Sequence, residues 1–479
     1  MVTSEIHTAL PILLNENNKA FYIMKSKRSL AIENSNDLLF GIAPCPVSCG
    51  HGLVIGQGQV FPEINFTLPT MLIDESSWKD VLYHYNDICN KILKRSQKLK
   101  LPGLVVEFEQ LPPMTMKPEW GAEITALIKQ HLDKFYQETS IPNALRVTVV
   151  DLRDADHPPL LRSGKSWETT REAFVLAAKA GADILSIESV GGKEVHDQAL
   201  MYADLPGIVS SLGVLAYRDV SWLWEQISLI CDEYQVIPGG DTACGFSNTA
   251  MQLAGQGMLP STLAALDRAA SAPRSLAAYE HGAVGPSKDC AYEGPIIKTI
   301  TGIPISMEGR SSCCAHFSPL GNIAGAAADL WSNESVQNIQ LLSGTAPEAF
   351  LELLAYDCRL YNTASSKDPL SYRDLLVESD VPYSPEALIL EPATVINIAN
   401  EIIKHNNGYE QTKAAVQTAY TALINTIDSG LISLNEPELN WLNSISSTMD
   451  QFPENEEAAL QYLEDRYGSF FNREAYGLK

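Results

Sequence analysis

Three segments that begin between Ala182 and Cys290 decide the fold: DILSIESVGGKE (183–194), GGDTACGFSN (239–248) and GPSKDCAYEGP (285–295). In each of them, a residue that binds zinc well follows a short apolar run that is typical of a strand; these residues are Glu188, Cys244 and Cys290. The carboxyl ends of the strands of a β/α barrel all lie on one face, where the chemistry takes place. We therefore expect the three segments to converge on one site.

Strand and helix patterns alternate from Gly103 to about Asp368. The predicted strands are Leu104–Phe108, Leu145–Val150, Ile184–Glu188, Leu212–Tyr217, Gln235–Pro238, Leu276–Glu280, Ile303–Met307 and, from a weaker pattern, Ile339–Leu342. The helical stretches between them include Glu119–Glu138, Trp167–Lys179, Val220–Glu233, Leu263–Ala270, Ile323–Trp331 and Glu348–Tyr361. This alternation indicates parallel strands with helical crossovers. We predict an α/β fold, a (β/α)8 TIM-type barrel, with an open doubly wound sheet as the alternative.

The sequence pattern predicts that the chain has three parts. Residues 1–37 form an N-terminal extension, residues 38–367 contain the barrel, and residues 368–479 form a helical C-terminal segment. The barrel region begins with a Gly- and Pro-rich segment, predicted to form turns, and a helix. The predicted C-terminal helices are Ala393–His405, Glu410–Ser429, Pro437–Met449 and an acidic stretch from Glu454 to Asp465. Helices in such a position suit contacts with another subunit.

Composition limits the class of protein. The 479 residues are 45% hydrophobic and carry a formal net charge of −24, which disfavours binding to nucleic acid because such affinity rests on clustered Lys and Arg. No run of about 20 apolar residues predicts a membrane span, and the first 30 residues do not resemble a signal peptide. The nine cysteines are too sparse for a disulfide scaffold. We expect a cytoplasmic protein.

The residue types in the three segments predict a catalytic zinc site. Ser186 and Glu188 share one face of their strand and are expected to point into the barrel, where an ionised carboxylate needs a cation or hydrogen bonds. Cys244 and Cys290 each precede a predicted helix (Ser247–Leu253 and Tyr292–Ile300), and a helix N-terminus lowers the pKa of a thiol. Three ligands are typical of catalytic zinc, which keeps one position for substrate. The alternative is two buried thiols and a hydrogen-bonded carboxylate.

The chain resembles the zinc-containing subunit of the methanol–corrinoid protein co-methyltransferases. The resemblance rests on SIESVGGKE (186–194), GDTAC (240–244) with NTAM (248–251), SAPRSL (271–276) and GAVGPSKDCAYE (282–293). Further matches are PEINF (62–66), WGAE (120–123), MEGRSS (307–312) with CAH (314–316), WSNESV (331–336) and LAYDC (354–358). The resemblance is strong from about residue 38 to residue 363 and weak in the helical C-terminal segment.

The resemblance implies a β/α barrel with zinc held by Glu188, Cys244 and Cys290. It also implies that methanol binds at the zinc and that its methyl group passes to the Co(I) centre of a corrinoid carried by a separate protein subunit. The implied assembly is a heterotetramer built on a homodimer of the zinc subunit. A proton donor for the leaving oxygen is not evident: Asp151, Asp241, Glu107 and Glu109 are candidates, each of which could instead accept hydrogen bonds in a structural role.

Several other groups suggest metal binding, but a structural role is favoured for them: Cys45 with Cys49 and His51, Cys313 with Cys314 and His316, and the single histidines His196 and His281. Two other functions remain open. The substrate could be another methyl–oxygen compound, such as a methoxylated aromatic or a glycol ether. The chain could also be a non-catalytic scaffold that docks a corrinoid protein.

Overall fold

The computed structural model describes residues 29–335 and 340–479, so most of the predicted N-terminal extension lies outside the described residues. The strands of this part of the chain are β1 (Ile42–Cys49), β2 (Leu53–Gln57), β3 (Phe61–Ile64), β4 (Leu104–Glu109), β5 (Asn143–Val149), β6 (Ile184–Ile187), β7 (Ile237–Gly240), β8 (Ser306–Glu308) and β9 (Leu330–Ser332). Strands β1 and β2 form an antiparallel hairpin. The other seven form one parallel sheet in the order β7-β6-β5-β4-β3-β9-β8.

A segment without regular secondary structure, residues 283–287, lies between the two ends of this sheet. The backbone N–H of Val284 donates to the carbonyl of Pro238 in β7 at 2.8 Å. On its other side, the N–H of Ser306 in β8 donates to the Ser287 hydroxyl at 3.1 Å. Seven strands and this segment therefore surround the interior in chain order, which confirms the predicted (β/α)8 barrel.

Helices connect successive strands around the barrel. They are Trp78–Leu99, Pro112–Met116, Pro118–Thr139, Gly164–Lys179, Lys193–Met201, Leu205–Ser210, Tyr217–Tyr234, Thr249–Gly255, Ser261–Glu280, Gly294–Thr301 and Arg310–Ala315; the helix Ala346–Ser365 follows the last strand. Most have one buried face, as in Trp78–Leu99, where Val81, Tyr85, Ile88 and Ile92 recur at helical spacing. Such crossovers cover the outer face of a parallel sheet.

Two predicted strands are helical in the structure. Leu212–Tyr217 lies in a π-helix, Ser211–Ala216, that continues into the helix Tyr217–Tyr234. Leu276–Glu280 forms the end of the helix Ser261–Glu280, in which residues 262–279 are all buried. A helix that is buried on every side lacks an amphipathic period, so a short apolar run within it cannot be distinguished from a strand.

Other predicted boundaries are also corrected. The Gly- and Pro-rich segment predicted to form turns contains β1, β2 and β3. The predicted helix Ile323–Trp331 is a 3-10 turn at Ile323–Ala326 followed by β9. Ile339 of the weakest predicted strand lies outside the described residues, and Gln340 forms only an isolated bridge with Thr345. Strands β3 and β9 have only four and three residues, too few to display a period of two.

The barrel interior has an apolar floor and a charged layer above it. The β1–β2 hairpin packs against the amino ends of the strands in a cluster of Cys49, Leu53, Ile55, Phe61, Val105, Ala144, Ile184 and Leu330. Above it, Arg146 Nε donates to Glu63 Oε1 at 2.6 Å, and Arg146 Nη1 donates to Ser186 Oγ at 2.8 Å. Both charged side chains are fully buried, so each compensates the other. Ser186 points inward, as predicted.

The C-terminal segment packs on the barrel helices. Its helices are Pro369–Asp380, Pro385–Leu390, Pro392–Ile402, Gly408–Asp428, Glu436–Met449 and Glu456–Tyr467. Gly213 makes a close approach to this segment: a Cβ there would lie 2.7 Å from the Tyr409 Cα. Apolar side chains of the barrel helices and of the segment form one hydrophobic core. None of the helices in the described part of the chain has both the length and the apolar character that a bilayer-spanning segment requires. The division at residue 368 stays a prediction.

Candidate active site

The structure brings together the three side chains that the sequence predicts as ligands. Glu188 directly follows β6, Cys244 begins a π-helix after β7 (Cys244–Asn248), and Cys290 follows the segment that completes the barrel. One donor atom from each lies within 4.8 Å of the others. The Cys290 thiol lies 3.0 Å from Glu188 Oε1, to which it donates a hydrogen bond. Two sulfurs and one oxygen therefore converge at the carboxyl ends of three consecutive barrel strands.

Without a cation, each of these groups has a pKa above its ordinary value. Burial raises the pKa of Glu188 to about 7, although the ammonium of Lys288 lowers it. A hydrogen bond with Cys290 lowers the pKa of Cys244, but burial and the Glu188 and Glu308 carboxylates raise it to about 12. Burial also raises the pKa of Cys290. The predicted lowering of the thiol pKa by helix N-termini is therefore wrong, because burial and nearby anions outweigh it.

The donor set fits zinc. Cysteine sulfur and carboxylate oxygen are both established zinc ligands, and a divalent cation would favour the ionised form of each. The side chain of Glu188 keeps 31% of its surface accessible, whereas Cys290 is buried. The site therefore lies deep in the protein and is reached from the mouth of the barrel.

Lys288 is a site residue that sequence reasoning missed. Its Nζ lies 3.1 Å from Glu107 Oε1, 3.4 Å from Glu109 Oε2 and 3.5 Å from Glu188 Oε1. It also lies 3.9 Å from the Cys290 sulfur. The ammonium is buried and thus offsets several acidic groups at once. Its position two residues before a predicted ligand is the only signal that the sequence offers.

A chain of hydrogen bonds holds Cys244. Asn248 Nδ2 donates to the Cys244 sulfur at 3.3 Å, and Arg268 donates to the amide oxygen of Asn248. Glu293 accepts from Arg268 at 3.4 Å and from the backbone N–H of Ala243 at 2.8 Å. Irregular π-helical turns are common at functional sites, and here the turn places Asn248 beside the sulfur.

Arg274 joins the loops that follow β6 and β7. It donates to the carbonyl of Ser189 at 2.9 Å and to Asp241 Oδ1 at 3.1 Å. Asp241 also accepts from the backbone N–H of Ser189 at 3.1 Å and from Trp224 Nε1 at 3.0 Å. The residues beside Glu188 and Cys244 are therefore tied to the same guanidinium.

The candidate proton donors fall into two groups. Asp151 pairs with Arg153 at 2.7 Å and accepts from the backbone N–H of Val190 at 3.1 Å, while Asp241 is held as described above. These two carboxylates support loops. Glu107 accepts from Thr148 at 2.7 Å and, like Glu109, contacts Lys288. Of the four, Glu109 alone is partly exposed, with 36% of its side chain accessible.

The other cysteines and histidines that suggested metal binding in the sequence lie apart from the three ligands, with one exception. Among the described residues, the clusters that could hold a metal include none of Cys45, Cys49 and His51. His196 pairs with Asp267 at 2.9 Å, and His281 with Glu225 at 3.0 Å. The exception is His316, which contacts Glu308 near the ligand cluster.

A cavity of about 740 Å³ opens at the mouth of the barrel. Its walls follow β3, β4, β8 and β9 and include Asn65, Phe66, Glu109, Arg310, Glu334 and Phe350. The three predicted ligands do not line it. Glu109 in the cavity wall connects the cavity to the predicted ligands. Its carboxylate contacts Lys288, and Lys288 contacts Glu188.

Fold and site together define a (β/α)8-barrel enzyme whose thiol–carboxylate cluster lies at the carboxyl ends of the strands. The family model for the methanol-cobalamin methyltransferase B subunit matches residues 24–477. The chain therefore belongs to this family and is a methyltransferase.

Two relatives agree with this assignment. The chain is 37% identical over 465 residues to a methanol–corrinoid protein co-methyltransferase from Methanosarcina barkeri, with 95% of this chain and 100% of the relative covered. The crystal structure of the methanol:cobalamin methyltransferase complex MtaBC from Methanosarcina barkeri contains a similar chain. The similarity has a TM-score of 0.89 at 36% identity and covers 94% of this chain and 99% of that one.

Proposed function

We propose that this chain binds one zinc ion through Glu188, Cys244 and Cys290 and transfers the methyl group of methanol to the Co(I) centre of a corrinoid protein. The observation that carries the proposal is the cluster of three donor atoms within 4.8 Å at the carboxyl ends of the barrel strands. A set of three protein ligands is typical of catalytic zinc, whereas structural zinc has four.

The residues around the cluster suit this chemistry. Bound zinc supplies a Lewis acid for the substrate oxygen, which helps the carbon–oxygen bond to break. Glu188 adds a hard oxygen donor to two soft sulfurs, which favours an oxygen substrate. Two thiolates and one carboxylate would exceed the charge of a divalent cation by one, and Lys288, 3.5 Å from Glu188, offsets part of this excess. Asn248 and Arg274 hold the ligand loops in place.

The mouth of the barrel supports docking of a corrinoid protein. The cavity of about 740 Å³ far exceeds the volume of methanol and has room for part of a corrinoid ring. Exposed apolar side chains lie in the segments that follow six barrel strands: Leu72, Met116, Leu160, Met258, Phe317 and Leu342. Exposed apolar groups around a cavity are typical of a protein-binding surface. A docked partner would also keep water away from Co(I).

A methoxylated aromatic substrate is the second candidate. Phe66, Tyr85 and Phe350 in the cavity wall would accommodate an aromatic ring. A glycol ether is the other methyl–oxygen alternative. A non-catalytic scaffold would have no need of a clustered set of three zinc ligands.

Two further properties belong to the proposal. The cytoplasm is the expected location, because two thiolate ligands and Co(I) all require a reducing compartment. The expected assembly with the corrinoid protein is a heterotetramer built on a homodimer of this chain. Light scattering of the purified complex measures that assembly directly.

The decisive experiment is methylation of cob(I)alamin by the zinc-loaded protein, followed by visible spectroscopy. Methanol, a methoxybenzoate, a glycol ether and methylamine are compared as donors, with the C290S variant as the inactive reference. We expect methylcobalamin to form with methanol and not with methylamine. Activity with the methoxybenzoate alone would select the second candidate, and activity with none of the donors would select the scaffold.

A further inference from the structure

His316 lies between two carboxylates that differ in their access to solvent. Its Nδ1 is 3.4 Å from Glu308 Oε2, and its Nε2 is 3.2 Å from Glu334 Oε1. The side chain of Glu308 is 3% exposed, whereas that of Glu334 is 42% exposed and lines the cavity. Because each ring nitrogen faces a different carboxylate, the imidazole connects an inner acid to an outer one.

The inner acid lies beside the proposed zinc ligands. A carboxylate oxygen of Glu308 is within 4.8 Å of the Cys290 sulfur. Glu308 ends β8, so its side chain projects at the same rim of the barrel as the ligands. The Tyr292 hydroxyl lies 3.1 Å from Glu308 Oε2 and 2.9 Å from the Cys313 sulfur, which orients the carboxylate. A proton on Glu308 is therefore close to the proposed zinc ligands.

The other buried acids near the ligands are bound to permanent cations. Asp289 accepts from Lys288 and from Ser332 Oγ, the latter at 2.8 Å. Glu107 contacts Lys288 at 3.1 Å, and Asp151 contacts Arg153 at 2.7 Å. Among these acids, Glu308 alone contacts a histidine, whose two ring nitrogens let one side chain pass a proton between two carboxylates.

We propose that Glu334, His316 and Glu308 form a proton relay that supplies the leaving oxygen of the substrate. The inference rests on the proposed function and identifies the proton donor for the leaving oxygen. As Co(I) donates an electron pair to the methyl carbon, the cobalt–carbon bond forms and the carbon–oxygen bond breaks. The electron pair of the broken bond stays on oxygen, and one proton from the relay completes a water molecule. Solvent in the cavity returns a proton through Glu334.

The environment of His316 keeps the relay supplied with a proton. Contacts with Glu308 and Glu334 raise the pKa of His316 to about 10, although burial lowers it. Burial raises the pKa of Glu308, so this carboxyl accepts a shared proton more readily than an exposed one. His316 Nδ1, 3.4 Å from Glu308, makes no hydrogen bond in this structure, and catalytic hydrogen bonds commonly tighten when substrate binds.

The test compares variants of the zinc-loaded full chain with methanol and cob(I)alamin. H316Q removes the acid and keeps a polar side chain, while E334Q changes only the half-exposed outer end. H281Q is the matched control, because His281 also contacts a glutamate but is remote from the ligands in the fold. We expect kcat to fall about 100-fold in H316Q and about 10-fold in E334Q, within the range for general acid catalysis. We expect all variants to keep one zinc ion per chain. In a further variant, H316A, we expect added imidazole to restore part of the lost rate.

Several outcomes would overturn the relay. Wild-type kcat in H316Q and E334Q would do so, as would loss of zinc together with activity, which would show a structural role. A low rate in the H316A variant that added imidazole does not restore would also count against the relay. If H316Q does not fold, wild-type kcat in E334Q alone rejects the proposal. If the wild-type protein forms no methylcobalamin from methanol, the proposed function fails and the relay fails with it. If the wild-type protein and the variants are equally active, the relay alone fails, so the two failures can be distinguished.

Discussion

Lys288 Nζ lies 3.5 Å from Glu188 Oε1 and 3.9 Å from the sulfur of Cys290. One buried ammonium thus contacts two of the three proposed zinc ligands and also reaches Glu107 at 3.1 Å. Its charge lets a carboxylate and thiolates share a buried site, since unpaired buried charges are costly. The charge of the site therefore depends on a residue that is not itself a proposed ligand.

Replacing Lys288 with Met should destabilise the protein even in the absence of metal. Glu107 and Asp289 would lose their buried cation, at a cost of about 3–5 kcal/mol for breaking a buried pair. Urea unfolding in the presence of a chelator measures the change in the free energy of unfolding. K117M is the control, because the exposed pair of Lys117 with Glu75 should contribute about 1 kcal/mol or less. Equal stability of the two variants would contradict this account of Lys288.

Replacing Cys244 with Ser should abolish stoichiometric zinc binding. Serine removes the thiolate donor and leaves two protein ligands, too few for a stable zinc site. Metal analysis of the purified protein measures the zinc content. C231S is the matched control, because Cys231 is a buried thiol on the helix Tyr217–Tyr234 and belongs to no metal cluster. Full zinc content in C244S would exclude the proposed ligand set.

Replacing Asn248 with Ala should weaken zinc binding without abolishing it. The Asn248 amide donates to the Cys244 sulfur at 3.3 Å, and loss of such a supporting contact typically lowers metal affinity about 10- to 100-fold. Competition with a chromophoric chelator gives the affinity. N90A serves as the control, since Asn90 donates to the carbonyl of Asn86 on a helix away from the site. Wild-type affinity in N248A would show that this hydrogen bond does not support the ligand.

Zinc binding should release more protons at low pH than at high pH. The pKa of Glu188 is raised to about 7 in the metal-free protein, and those of both thiols are raised further. At pH 8 the carboxylate is already ionised, so zinc displaces about two protons, both from the thiols. At pH 6 Glu188 is protonated as well, and zinc displaces about three.

Calorimetry in buffers of different ionisation enthalpy counts these protons. The count at pH 6 should exceed that at pH 8, and zinc affinity should rise with pH across this interval. An equal count at both values would mean that Glu188 is ionised without metal or does not bind zinc. C244S provides the baseline for nonspecific binding.

The sequence predicted the barrel because its strongest signals are local. Strands such as Leu104–Glu109 and Asn143–Val149 are long enough to stand out against the helices around them. The short strand Phe61–Ile64 and the buried helix containing Leu276 were missed or misassigned, because neither displays its own period.

What the sequence determined by itself is the type of fold and the three residues that the structure brings together as a cluster. Glu188, Cys244 and Cys290 each follow a strand segment, and parallel barrel strands bring such positions to one rim. Only the tertiary structure placed Lys288 among the acids and His316 between Glu308 and Glu334. The contacts of Lys288 with Glu107 and Glu109 join distant parts of the chain across the barrel, and those of His316 join the segments that follow the neighbouring strands β8 and β9. The direction and burial of these side chains therefore depend on how the strands assemble.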